Sequence, residues 1–173
     1  YTQHKILSGL QDACHLCGIP QALEIQIRFA GWLEKILSGL SADQIQTMLN
    51  CEHGGINEAL ANLYADTRDP RHLKLARIFH HRAILEPLSQ GRDILPGKHG
   101  NTQIPKLTGL ARLYELTGQE EDRRPAEFFW DRVVHHHTYV SGGTSLGEHF
   151  GPPDQLSGRL GPHTAESCNV YNM

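Results

Sequence analysis

An all-α fold of repeated helical hairpins is what this sequence predicts, and three observations carry the prediction. Leu60-Ala-Asn-Leu-Tyr-Ala-Asp-Thr67 returns fifty positions later as Leu110-Ala-Arg-Leu-Tyr-Glu-Leu-Thr117. Thr2-Gln3, Leu7, Gly9, Leu10, Leu16 and Gly18 recur a hundred positions on as Thr102-Gln103, Leu107, Gly109, Leu110, Leu116 and Gly118. Between these copies run segments with apolar residues at helical spacing, such as Leu23, Ile27, Ala30, Leu33 and Leu73, Ala76, Ile78, Phe79. A period of about fifty residues holding two helices is the signature of a hairpin array, either an open solenoid or a closed α/α toroid.

Each period opens with an apolar helix rich in small residues, expected at about residues 3–17, 55–66 and 103–117. A turn follows, marked by Cys-Gly-Ile-Pro20, Thr-Arg-Asp-Pro70 or Thr-Gly-Gln119. The second, striped helix then completes the hairpin. In a ring the smaller first helices suit the inner position. The stretches at about 38–54, 86–102 and 138–165 show no periodicity and read as long connections, which are usually functional. In a toroid these connections gather over one mouth.

Composition excludes more than it identifies. The chain has 173 residues, 39% hydrophobic and 20% charged, within the range of ordinary globular domains. A net charge of −3 and the lack of any basic run give nucleic acid no electrostatic footprint. Apolar stretches are short and broken by charge, which argues against a membrane span, and residues 1–10 show neither an initiating Met nor a signal-peptide pattern, which leaves the compartment open. The four cysteines, Cys14, Cys17, Cys51 and Cys168, are too irregularly spaced for a disulfide framework. Cys14-x-x-Cys17 falls in an apolar helical pattern with no second pair, so both are expected to fill core space.

Chemistry-bearing residues concentrate in the last 34 residues, Val140 to Met173. Glu148 sits in Gly147-Glu148-His149-Phe150, either as an exposed loop carboxylate or as a proton donor desolvated by Phe150. Glu166-Ser-Cys168 offers an oxygen and a sulfur to one metal ion if the backbone is extended there, and zinc accepts such a mixed set but wants four donors. The alternative is a helix-initiating acid and a buried thiol, with Thr164 as the N-cap. His135-His-His137 closes a helix, where neighbouring rings diverge and cannot easily share an ion.

Read together, SGGTSLGEHFGPPDQLS, AESCNVYNM, the opening YTQHKILSGLQDA, LNCEHGGINEALANLY and HGNTQIPKLTGLARLYELTG resemble the DUF1680 group of bacterial glycoside hydrolases. These are the β-L-arabinofuranosidases of families 127 and 146, and the GEHF and ESCNVYNM wording is closer to family 146. The resemblance covers essentially the whole chain. It implies part of an (α/α)6 toroid and a retaining exo-β-L-arabinofuranosidase with a zinc-bound cysteine nucleophile. Its substrate would be the terminal arabinofuranosyl unit of a plant-derived oligosaccharide.

Carried across by motif, the resemblance makes Glu148 the acid/base and Glu166 and Cys168 two zinc ligands. It makes His4 a sugar contact, and Asn101 and Gln103 hold the comparable place in a later repeat, with helix capping as the alternative role for these residues and His53 and Glu58 as weaker candidates. Two further cysteine ligands, the nucleophile among them, belong to a Cys-Cys pair downstream of Glu-x-Cys. Residues 1–173 would then be a partial barrel without the family's later helices and β domains, its exposed inner faces inviting self-association. A rival reading is a catalytically incomplete helical-repeat module that binds glycans or protein.

Overall fold

In the computed structural model the chain is all-α, with residues 1–51 and 54–173 described. It divides into two units, Tyr1–His81 and Arg82–Met173. The first holds α1 (Thr2–His15), α2 (Pro20–Leu37), α3 (Ala42–Leu49), α4 (Ile56–Thr67) and α5 (Pro70–Ile78). The second holds α6 (Arg82–Ser89), α7 (Gly100–Thr117), α8 (Glu120–Arg132) and α9 (Ser167–Asn172), with a π-helical turn at Val133–His137 and a 3-10 turn at Ser157–Arg159. Among the described residues no helix is long and apolar enough to cross a membrane.

In the first unit α1 pairs with α2 and α4 with α5, and α4 also packs on α1. Leu7, Leu60 and Leu63 are fully enclosed there. Proline at the start of α2 and α5 suits positions whose N–H has no helical partner, and the Asp69 carboxylate caps α5 by accepting from Arg71 N–H at 3.0 Å. The buried stripe of α2 is Ala22, Gln26, Ala30, Leu33 and Leu37. Leu23 and Ile27, expected on that stripe, are only half-buried. Gln26 takes the inward place with its Nε2 donating to the Leu7 carbonyl at 3.1 Å, which satisfies the amide nitrogen but leaves Oε1 buried without a partner.

The fifty-residue repeat extends into the backbone. Gly18, Arg68 and Gly118 adopt left-handed φ values of 65°, 58° and 68°, each just past the end of a first helix. Thr67 and Thr117 donate back to Leu63 and Leu113 carbonyls at 2.7 and 2.8 Å. The same hydroxyls accept from Asp69 N–H and Gln119 N–H, so one device turns the chain in both hairpins. Two of the expected connections carry helices. Within 38–54, α3 starts at a capping box in which Ser41 and Gln44 bond each other's backbone N–H, and α6 runs into the stretch after residue 86.

In the second unit α8 packs on both α6 and α7. Three acidic residues, Glu120, Glu121 and Asp122, open α8, where negative charge complements the helix dipole. At its far end α8 widens into the π turn, closed by Thr138 Oγ1 donating to the Val133 carbonyl at 2.6 Å. The three histidines of that turn diverge, as their spacing predicts. His135 lies 4.0 Å from Asp131, His136 Nδ1 3.0 Å from Asp154, and His137 Nε2 2.9 Å from Asp93.

Asp93 also accepts from Arg132 Nε at 3.0 Å and from Leu95 N–H, so it ties the π turn to the segment that leads into α7. Burial pushes the Asp93 carboxyl up, but the bonds from His137, Leu95 and Arg132 outweigh it and leave it below the usual aspartate range. Asp93→Asn is expected to lower unfolding free energy by about 2 kcal/mol near pH 7, less than for a fully enclosed pair because Asp93 keeps 13% of its side chain exposed. A depressed carboxyl stabilises above its unfolded value of about 3.9 and stops doing so as pH falls through the folded value. Urea titrations of both forms should therefore begin to approach each other as pH falls below about 3.9 and converge only below the folded value.

Candidate functional site

The segment between the π turn and α9 has little regular structure, and a two-residue turn gives it its shape. Gly147 and Glu148 have φ of 54° and 67°, and Leu146 and His149 exchange backbone bonds of 3.0 and 3.2 Å across them. Positive φ at both central residues defines a type I′ turn, the form that matches the twist of paired strands. Glycine adopts this φ freely. Glutamate does so only at a cost of about 1–2 kcal/mol, which the surrounding bonds offset.

Those bonds come from the residues just before α7. Gly100 N–H donates to the Glu148 carbonyl at 2.7 Å, Phe150 N–H to Lys98 at 3.0 Å, and Gly97 N–H to Phe150 at 2.8 Å. Glu148 therefore stands on an antiparallel pairing between residues 97–100 and 148–150. Its side chain is half exposed, and Oε2 lies 3.1 Å from His99 Nε2. His99 itself caps α7, with Nδ1 accepting from Thr102 N–H at 3.2 Å. Phe150 turns the other way. It is buried edge-on against Phe129 and His137 and belongs to the core, so the expectation that it desolvates Glu148 is not met. Strict strand alternation would put residues two apart on one face, and the left-handed φ of 67° at Glu148 breaks it.

Glu166 is the N-cap of α9, with Oε2 accepting from Cys168 N–H at 3.0 Å and Oε1 from the Cys168 thiol at 2.8 Å. Thr164, expected as the cap, instead forms a close hydroxyl contact to the Gly161 carbonyl and accepts from Gly161 N–H, closing its own turn. The thiol bond holds the Glu166 carboxyl below its usual range and, with burial and the negative charges of Glu166 and Glu148, pushes the Cys168 thiol up. Among the described residues no group of three or more His, Cys, Asp or Glu side chains is set to hold a metal ion. Glu166 and Cys168 nonetheless fit half of a zinc site. Their donor atoms converge on one shared proton, and a cation there would displace that proton from sulfur.

Helix α9 reaches this position because Gly100 has no side chain. A Cβ there would stand 2.6 Å from the Asn169 amide nitrogen. That nitrogen donates to Ser145 Oγ at 2.8 Å, and Asn172 Nδ2 donates to Asn101 Oδ1 at 2.5 Å. Of the other expected contacts, Gln103 is buried with Oε1 accepting from Lys106 Nζ at 2.9 Å. His4 belongs to the first unit, where its Nδ1 accepts from Gly55 N–H at 3.1 Å. Glu58 is half-buried in α4, and His53 lies outside the described residues. Cys14 is half-buried and unbonded, but Cys17 is exposed past the end of α1, so the core role expected for it fails. His99-Gly-Asn-Thr-Gln103 is legible in the sequence as a stretch just ahead of a first helix, without a role for His99. Its signal was a polar residue three before Thr102 at a helix start.

A family model described as "Beta-L-arabinofuranosidase, GH127 catalytic domain" matches residues 1–173. No curated protein matches the chain.

The left-handed backbone at Glu148 generates a prediction separate from chemistry. Glu148→Gly is expected to stabilise the fold by about 1 kcal/mol, because glycine carries no penalty at that φ. Urea unfolding checks the sign, and a destabilised variant would mean that the His99 contact outweighs the strain.

Proposed function

Since the chain belongs to the GH127 β-L-arabinofuranosidase catalytic-domain family and is thereby a glycosidase, we propose that it serves retaining hydrolysis of terminal β-L-arabinofuranosyl units, with Glu148 as acid/base. The observation that carries this reading is the placement of Glu148, half exposed on a fixed turn and close enough for its charge to act on Cys168. A proton donor must face solvent and substrate while its backbone stays still, and a pinned turn provides both.

In the proposed reaction a cysteine sulfur of the downstream Cys-Cys segment attacks the anomeric carbon as the bond to the leaving oxygen breaks. Glu148 gives its proton to that oxygen. Glu148 then takes a proton from water, whose oxygen attacks the same carbon and breaks the carbon–sulfur bond. Two displacements retain the configuration. Glu166 and Cys168 would hold zinc with donors from outside residues 1–173, and zinc, when bound, keeps cysteine sulfur as thiolate near neutral pH.

By the resemblance His4 in the first unit, and Asn101 and Gln103 in the second, are each proposed as a sugar contact. With Asn101 Oδ1 and Gln103 Oε1 already taken, each amide offers its NH2 to a hydroxyl. His4 Nδ1 accepts from Gly55 N–H at 3.1 Å, which fixes the ring at the start of α1. A plant glycan as the natural source follows from the resemblance, and the finer likeness to family 146 rests on the GEHF and ESCNVYNM wording.

Release of arabinose from a chromogenic β-L-arabinofuranoside tests the reading. Glu148→Gln is expected to lower kcat by about 10²–10⁴-fold, and Cys168→Ser or Glu166→Gln to lower zinc content measured by elemental analysis. Undiminished turnover in Glu148→Gln would remove it from the acid/base role. Undiminished zinc in both ligand variants would remove the metal assignment.

A further inference from the structure

We propose that His99 is a positioning residue for Glu148 and that the first turn of α7 fixes its imidazole tautomer. This rests on the acid/base reading of Glu148 and adds what holds that carboxylate. The inference starts from hydrogen-bond roles. His99 Nδ1 is 3.2 Å from Thr102 N and 3.0 Å from Thr102 Oγ1. A backbone N–H can only donate, so Nδ1 is the unprotonated nitrogen and the ring proton resides on Nε2. Nε2 is 3.1 Å from Glu148 Oε2 and donates to it. One ring thus closes the N-terminus of α7 with one nitrogen and aims an N–H at the carboxylate with the other.

Neighbouring contacts keep the arrangement in register. Gly100 N–H holds the Glu148 carbonyl at 2.7 Å, so the caps of turn and helix share a backbone bond. The His149 ring meets His99 edge-on with centroids 5.3 Å apart. His149 Nδ1 donates to the Gly147 carbonyl at 2.7 Å, so adjacent histidines point their protons oppositely and do not compete for one acceptor. Capping alone does not account for histidine at position 99, because Asn, Ser and Asp satisfy a helix N-terminus better. Only a side chain that both caps and reaches Oε2 uses both nitrogens.

For the reaction this leaves Oε1 of Glu148 to exchange the proton with the leaving oxygen and then with water, while Oε2 stays held. The carboxylate is returned to the same place for both steps.

His99→Asn separates the roles, since asparagine keeps an acceptor for Thr102 N–H but does not reach Glu148. The expected result in the intact protein is an unchanged urea midpoint, an unchanged KM for the chromogenic arabinofuranoside, and a kcat lower by about ten- to a hundredfold. Wild-type kcat in His99→Asn would overturn the positioning role. Nitrogen-15 histidine spectra supply a readout independent of turnover. The resonance lost in His99→Asn is expected to show the Nε2–H pattern at neutral pH, and an Nδ1–H or doubly protonated pattern would overturn the proposal. Should the wild-type protein leave arabinofuranosides intact, the functional reading fails and the nitrogen spectrum still decides the tautomer.

Discussion

The close approach of α9 to Gly100 is the constraint on which the second unit's site depends. Any side chain at position 100 would overlap the Asn169 amide, and that amide is bonded to Ser145. One missing Cβ therefore lets three segments meet that are remote in sequence: the start of α7, the turn around Glu148, and the helix that carries Cys168. Asn172 Nδ2, donating to Asn101 Oδ1, bonds α9 to α7 itself. Close packing of backbone against a polar side chain is a recurrent reason for glycine at a helix start.

The two carboxylates brought together this way are not equivalent. Glu166 spends both oxygens on Cys168, one on its N–H and one on its thiol, which fixes it as a charged acceptor. Glu148 has one oxygen on a histidine and a half-exposed side chain on a turn whose backbone is unfavourable for glutamate. Divergent surroundings for neighbouring acids are how one site assigns them different tasks. A group that trades protons must be reachable, whereas a group that holds a cation must stay ionised.

Local signals in the sequence translated well and long-range ones did not. The fifty-residue repeat anticipated the hairpins because each copy contains its own turn, down to the left-handed residues 18, 68 and 118. The α3 capping box, Ser41 with Gln44, was equally local yet was overlooked in a stretch of weak periodicity. Thr164 was expected to cap α9 because its hydroxyl suits that role, but Glu166 lies nearer and has two oxygens for Cys168. Phe150 was expected beside Glu148 because the two are two positions apart, and the left-handed turn at Glu148 separates them. The pairing that holds this turn is made with residues 97–100, about fifty positions away in the sequence.

That pairing also bears on how the protein acquires its active arrangement. Residues 97–100 and 148–150 are about fifty positions apart, and the α7–α8 hairpin lies between them. Closing a flexible loop of that length is entropically costly, but a hairpin formed first from its own local contacts shortens the effective loop to residues 133–147. The turn beneath Glu148 then closes onto a scaffold already built. Contact topology therefore predicts that the helical repeat forms before the site, and that damage to the α7–α8 hairpin reaches the site through its assembly, with no contact to the reacting groups required.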